Sequence, residues 1–180
     1  MTISEFWKQQ NFAYLVTYSF NRGPKLAALM VAAKALFLLT RQQLLTAPSA
    51  QLPEMRQKLR LLERTYDLGM LTLTQNKVAF HITASPVVRI EKDSAEAFFL
   101  AAILQVPVAD QIHLMCGPVY RDALAFYDEQ DSLLSVLNVC FSCHHMVADT
   151  EQEIQADSAT YSALSSYLTR LGHLIVPGEQ

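Results

Sequence analysis

Large apolar side chains recur at helical spacing through the first 66 residues, and alternation at strand spacing takes over after Gly69. Over 2–20, Phe6, Trp7, Tyr14, Leu15 and Tyr18 predict a first helix, opened by a Thr2–Glu5 capping box. Asn21-Arg22-Gly23 breaks it, and Pro24 suits the first turn of a second helix over roughly 25–45. That second helix is apolar almost all round, which predicts a place at the centre of the fold. A third, amphipathic helix is expected over 52–66, with Leu59, Leu62 and Tyr66 on one stripe.

Past Gly69 the pattern is mixed. A β-hairpin is expected from 70–74 and 78–82 around Gln75-Asn76-Lys77, then a strand over 87–90. Asp93 or Ser94 caps a short helix over 95–104, and a strand follows at 111–116. Strands at 121–127 and 133–146 flank the polar turn Asp128-Glu129-Gln130-Asp131, and 152–155 reads as an edge strand. The closing helix is the clearest element: Asp157 caps it, Tyr161, Leu164, Leu168 and Leu171 form its stripe, and Gly172 stops it. The expected class is α+β, an N-terminal helical layer followed by an antiparallel sheet with a C-terminal packing helix. The expected division is a helical subdomain at 1–68 and an α+β subdomain at 69–180, sharing one core.

Composition narrows the function classes. With 51% hydrophobic and 17% charged residues, a chain of 180 can bury a substantial core. A net charge of -3 gives no reason to expect a nucleic-acid partner, and it disfavours DNA reading by the helix-helix-helix-hairpin order. Arg56, Lys58, Arg60 and Arg64 form a local basic excess, read here as a solvated helix face, with an acidic partner as the alternative. No basic segment precedes an apolar core at the start, so no secretory signal is expected. The apolar run 26–39 is short against the ~20 residues a span needs and carries Lys34, so no membrane partner is expected. Three cysteines, an odd count, argue against a secreted disulfide framework; a cytoplasmic protein with reduced thiols is expected.

The chemistry-bearing residues gather in 133–146. Cys140-Phe141-Ser142-Cys143-His144 matches the C-x-x-C-H pattern of covalent haem attachment, but it lies in a β-rich run. If 133–146 is one unbroken strand, Cys140 and Cys143 point to opposite faces and cannot grip one metal or haem; Cys143 then continues the core face of Leu137, Val139 and Phe141. If Tyr127 pairs with Ser132 across the 128–131 turn, the same register brings Cys116 opposite Cys143. Close thiols there can form a cross-strand disulfide, bind a metal or simply pack. Cys116, Cys140, Cys143 and His144 make a Cys3His zinc set only if a tight turn follows Cys140. Cys143 as a nucleophile with His144 or His145 as base is a further reading, but adjacency alone supplies no oriented base. The favoured reading is packing: cysteines in the core, His144 and His145 at the solvated end of the sheet. His81, His113 and His173 read as isolated surface or capped histidines.

From Cys116 onward, Cys116-Gly117-Pro118-Val119-Tyr120-Arg121-Asp122, then Leu137-Asn138-Val139-Cys140-Phe141-Ser142-Cys143, then the closing helix, the chain resembles a group of uncharacterised bacterial proteins. They share a C-x-P motif, a polar hairpin, a C-F-x-C strand and a closing helix, and the resemblance covers about the last third of the chain. It implies no activity and no catalytic residues, and it implies that the histidine after the second cysteine is incidental. The expected function is therefore non-enzymatic binding, with a protein as partner and no cofactor. The alternative is a zinc-binding or thiol-redox protein using Cys116, Cys140, Cys143 and His144.

Overall fold

The computed structural model describes residues 1–64, 72–75, 79–109, 116–149 and 152–175. The chain forms two compact units, one of Met1–Phe20 with Gly69–Gln180 and one of Asn21–Leu68. The first twenty residues thus group with the sheet rather than with the two helices that follow them.

The first unit is α+β. Helix α1 spans Ile3–Gln9, with the Thr2–Glu5 capping box formed as expected. The helix expected over 2–20 stops there, and Tyr14–Ser19 forms strand β1 instead. Its run Tyr14-Leu15-Val16-Thr17-Tyr18 is rich in β-branched and aromatic residues, and a ladder on each side outweighs a helical spacing that depended on only a few positions. Strands β2 (Thr74–Gln75) and β3 (Ala79–Phe80) pair in a small hairpin. They are followed by β4 (Ser85–Glu91), helix α4 (Ala95–Leu104, capped by Ser94), and strands β5 (Asp122–Tyr127), β6 (Leu133–Cys140), β7 (His145–Ala148) and β8 (Glu153–Ile154). Helix α5 (Ser158–Arg170) closes the unit. The strand expected over 111–116 lies outside the described residues apart from Cys116.

The main sheet runs β4-β1-β5-β6-β7-β8, each neighbour antiparallel. Thr2 adds a parallel bridge to Gln155 beyond β8. The central strand β5 is buried from Asp122 to Phe126, so both of its faces serve a core. Leu124 and Phe126 join Leu15, Leu137 and Val139 beneath α1, α4 and α5. There Phe126 meets Phe6, Trp7 and Phe12 edge-on at centroid distances of 5.8, 6.0 and 5.3 Å. Tyr18, Ala123, Ala125, Val136, Cys140 and Val147 form the second core on the opposite face, with Leu73 and Tyr120. Buried Asn138 fastens that layer, its Oδ1 accepting the Leu73 N–H at 2.7 Å.

Helix α5 starts where Asp157 Oδ1 accepts the Thr160 N–H at 2.8 Å. The same N–H holds the Asp157 carboxyl below its usual range. Asp157→Ala is expected to cost about 1 kcal/mol, read by urea unfolding at neutral pH. Because the folded state lowers this pKa, the contribution is complete above about 3.9 and is lost as pH falls through the lowered value. The wild type and variant curves should therefore converge in acid.

The second unit contains α2 (Gly23–Leu44), a 3-10 turn at Ser49–Gln51, and α3 (Leu52–Arg64). Helix α2 packs on α3; Leu26, Leu29, Met30, Phe37 and Leu44 of α2 are half-buried, as are Leu52, Met55, Leu59 and Leu62 of α3. The expectation that α2 occupies the centre of the fold is wrong: only Ala33 and Thr40 in it are buried. A uniformly apolar helix has no preferred side, and a single amphipathic partner covers one stripe of it.

Candidate functional site

Strand β6 ends at Cys140 because residues 141–144 make a tight turn, with His144 at a φ of 46°, before β7 begins. Cys140 pairs with His145 and Val139 with Met146, so the expected single strand over 133–146 is in fact a hairpin. Folding back satisfies backbone groups that a longer extended strand would leave at an edge. The turn also breaks the two-residue alternation on which the opposed cysteines rested. Cys140 and Cys143 lie in the same core, on the second face of the sheet, while Phe141 packs against the first.

Cys143 is bonded to Cys116, with a Cα–Cα distance of 6.0 Å across 27 positions. The neighbourhood of these two residues is the expected one, but the route differs. Tyr127 pairs with Leu133 rather than Ser132, the register shifts between Phe126 and Tyr127, and the β5–β6 ladder stops at the Asp122–Val139 pair. The 116–121 segment and the 141–144 turn then bring the sulfurs together. Two of the three thiols expected to be reduced are thus joined, and Cys140 is the free, buried one.

The Cys3His set is not assembled. The turn it requires after Cys140 is present, yet two of its sulfurs are spent on each other. Cys140 Sγ lies 3.4 Å from the Ser142 hydroxyl. The His144 ring stacks on Tyr161 at 4.8 Å, with Nδ1 3.3 Å from Ser158 Oγ. Among the described residues no group of three or more His, Cys, Asp or Glu is placed to hold a metal.

The neighbouring histidine is also engaged: His145 Nδ1 lies 2.8 Å from the Tyr120 hydroxyl and Nε2 3.9 Å from Glu153. Burial pushes the Tyr120 and Tyr161 phenols far above the ordinary tyrosine range, so both stay protonated near neutrality. Neither is tuned for proton transfer there. His81, expected to be isolated, sits 2.7 Å from Thr83 Oγ1, and burial lowers its pKa. His113 is outside the described residues.

Sequence reasoning missed one polar network altogether. His173, expected at the surface or as a helix cap, is buried with Nδ1 2.7 Å from Asp122 Oδ1 and Nε2 2.9 Å from Thr17 Oγ1. The three come from β5, β1 and the segment after α5, and Thr17, Asp122 and His173 are all buried. The order resembles a nucleophile-base-acid relay, but a hydroxyl enclosed on all sides has no room for substrate. Its role is to tie the end of α5 to the middle of the sheet. A threonine and an aspartate inside otherwise apolar strands were the available signal.

Two surface features remain. A cleft of about 550 Å³ opens between residues 11–13, Lys92-Asp93 and the 128–130 turn. Its Asp128 Oδ1 is occupied by the Gln130 and Ser132 N–H groups of the turn itself. The other feature is the outer face of α2, where Val31 is 70% exposed, Leu38 54% and Leu39 51%. The helix is also long and apolar enough to cross a membrane by length and composition, a test that soluble core helices and signal sequences pass too. The expectation from 26–39 that this segment is too short is corrected by the 22 residues that fold as one helix. Spanning would nevertheless place Lys34 near mid-bilayer, at a cost of about 3 kcal/mol. Compared with known proteins, the chain matches no family model, no curated protein and no solved structure.

Proposed function

We propose that this chain is a non-enzymatic binding domain that engages a partner through the outer face of α2. The observation that carries the reading is that exposed apolar face, in a chain whose described histidines are each engaged by neighbouring side chains. Exposed, contiguous aliphatic surface on a soluble fold marks an interaction site more often than it marks chemistry. The reading places the protein in the cytoplasm of a bacterium, the source its last third suggests by motif. A cytoplasmic disulfide is usually transient or redox-sensing, so the Cys116–Cys143 bond is taken as reversible. A photo-reactive residue at Val31 or Leu38 is expected to trap an adduct in cells, to protein or to lipid, and one at Ser162 on α5 to trap none. If positions 31 and 38 yield no adduct, the reading is wrong.

A second reading is a metal-binding or thiol-redox protein using Cys116, Cys140, Cys143 and His144. It is favoured by one observation, the free Cys140 lying in the same core as Cys143, one half of the bonded pair. Elemental analysis of the reduced protein separates the two readings. Stoichiometric zinc or iron would favour the second, and a metal-free reduced protein would remove its metal-binding form.

A further inference from the structure

We infer that the α2 face docks onto an anionic lipid bilayer, with α2 lying in the plane of the headgroups and α3 above it in water. The inference rests on the binding reading just given and names the partner. Its first support is where the charge sits. Residues 21–68 hold eight Lys and Arg against three Asp and Glu, a net charge of +5; the rest of the chain holds six against fourteen, or -8. The cations thus gather in the unit that exposes the apolar helix. No carboxylate occurs from Asn21 to Pro53.

Its second support is the arrangement around the helix. At 100° per residue, the side of α2 opposite its half-buried stripe carries Ala28, Val31, Ala35, Leu38 and Leu39, with Gln42 joining them in the last turn, all exposed. Lys34 and Arg41 fall together on one margin of that arc and Lys25 on the other, all three exposed. Such an arc bordered by cations lets the aliphatic side chains enter the acyl boundary while the long basic side chains reach back to the phosphates. With 22 residues the helix is about 33 Å long, so several turns contact lipid at once. Lys58 and Arg60, exposed on α3, add to the attraction of a negative surface.

The same features disfavour the other occupants. A second copy seated on α2 would bring Lys34 and Arg41 toward their own equivalents, with no carboxylate on either helix to compensate. A specific protein site is usually built around aromatic or arginine anchors seated in pockets. Here the exposed arc is alanine and aliphatic apart from Gln42, and Phe37, the one aromatic residue of α2, lies on the half-buried side. A fluid lipid surface needs no shape complementarity.

The test is co-sedimentation of the full chain with phosphatidylcholine vesicles, with and without phosphatidylserine. Wild type is expected to bind the serine-lipid vesicles at least about tenfold more strongly, and added salt to weaken that binding. Val31→Glu with Leu38→Glu, at positions already facing solvent, is expected to abolish it while circular dichroism stays unchanged. Lys34→Glu with Arg41→Glu is expected to remove the preference for the anionic vesicles. Binding that survives in the Val31→Glu/Leu38→Glu protein would overturn the assignment of the face, and absence of vesicle binding by wild type would overturn the lipid. Light scattering then tells the failures apart. A wild-type oligomer made monomeric by Val31→Glu/Leu38→Glu, or a protein adduct at position 31 or 38, leaves the binding domain standing with a different occupant. With neither, both ideas fall.

Discussion

His173→Ala is expected to destabilise the protein by about 3 kcal/mol. The substitution removes the group that bridges Asp122 and Thr17 and leaves an aspartate and a hydroxyl in a buried site without that partner. Breaking one member out of a buried hydrogen-bonded set costs more than the bonds were worth, because the remaining polar groups stay desolvated. The loss is a large share of a typical stability of about 5–15 kcal/mol. Urea unfolding measures it, and a cycle with Thr17→Val checks the mechanism. If the network acts as one unit, the two substitutions together cost less than their separate effects combined. Strict additivity, or a loss below about 0.5 kcal/mol, would mean His173 is merely tucked away rather than holding α5 to the sheet.

Removing the disulfide is the second large effect. Closing 27 positions of chain restricts the unfolded ensemble by an amount worth about 3.5 kcal/mol in the chain-entropy treatment. Cys116→Ser, or reduction of the wild type, is expected to lower stability by that order, and the two losses should coincide. Cys140→Ser should leave the reduction-sensitive part untouched, since Cys140 is outside the bond. Thiol titration in denaturant supplies the independent readout: one thiol before reduction, Cys140, and three after it. Three thiols before reduction would show that the bond does not form and would leave the cysteines as packing alone. A protein that loses this much stability on reduction, yet keeps its surface face, would have binding and redox state coupled through folding rather than through contact.

Several parts of the molecule were legible in the order of residues because the physics that specifies them is local. The Thr2–Glu5 box, the Ser94 and Asp157 caps and the 95–104 helix depend on groups three or four positions apart. The 128–131 turn belongs with them: Asp128 folds it by accepting from the N–H groups of Gln130 and Ser132. The α+β class followed from the change of periodicity near Gly69. Even the proximity of Cys116 to Cys143 could be read from a hairpin register, though the register itself was two positions out.

What the order of residues did not contain is which neighbours each stretch would find. Tyr14–Ser19 is a strand because β4 and β5 flank it, and no property of 2–20 alone reveals those flanks. His173 is buried because Thr17 and Asp122, 156 and 51 positions away, converge on it. The hairpin at 141–144 puts both nearby cysteines in one core because pairing a strand with its own continuation satisfies more backbone than extending it. Helix α2 shows the same division. Its apolar content was plain in the sequence, but whether that surface meets a core or solvent depends on how much partner there is to cover it, and one amphipathic helix covers a single stripe. Local hydrogen bonds and periodicity act over a few residues and so are written along the chain; burial is a property of surfaces brought together from far apart, and only the tertiary structure decides it.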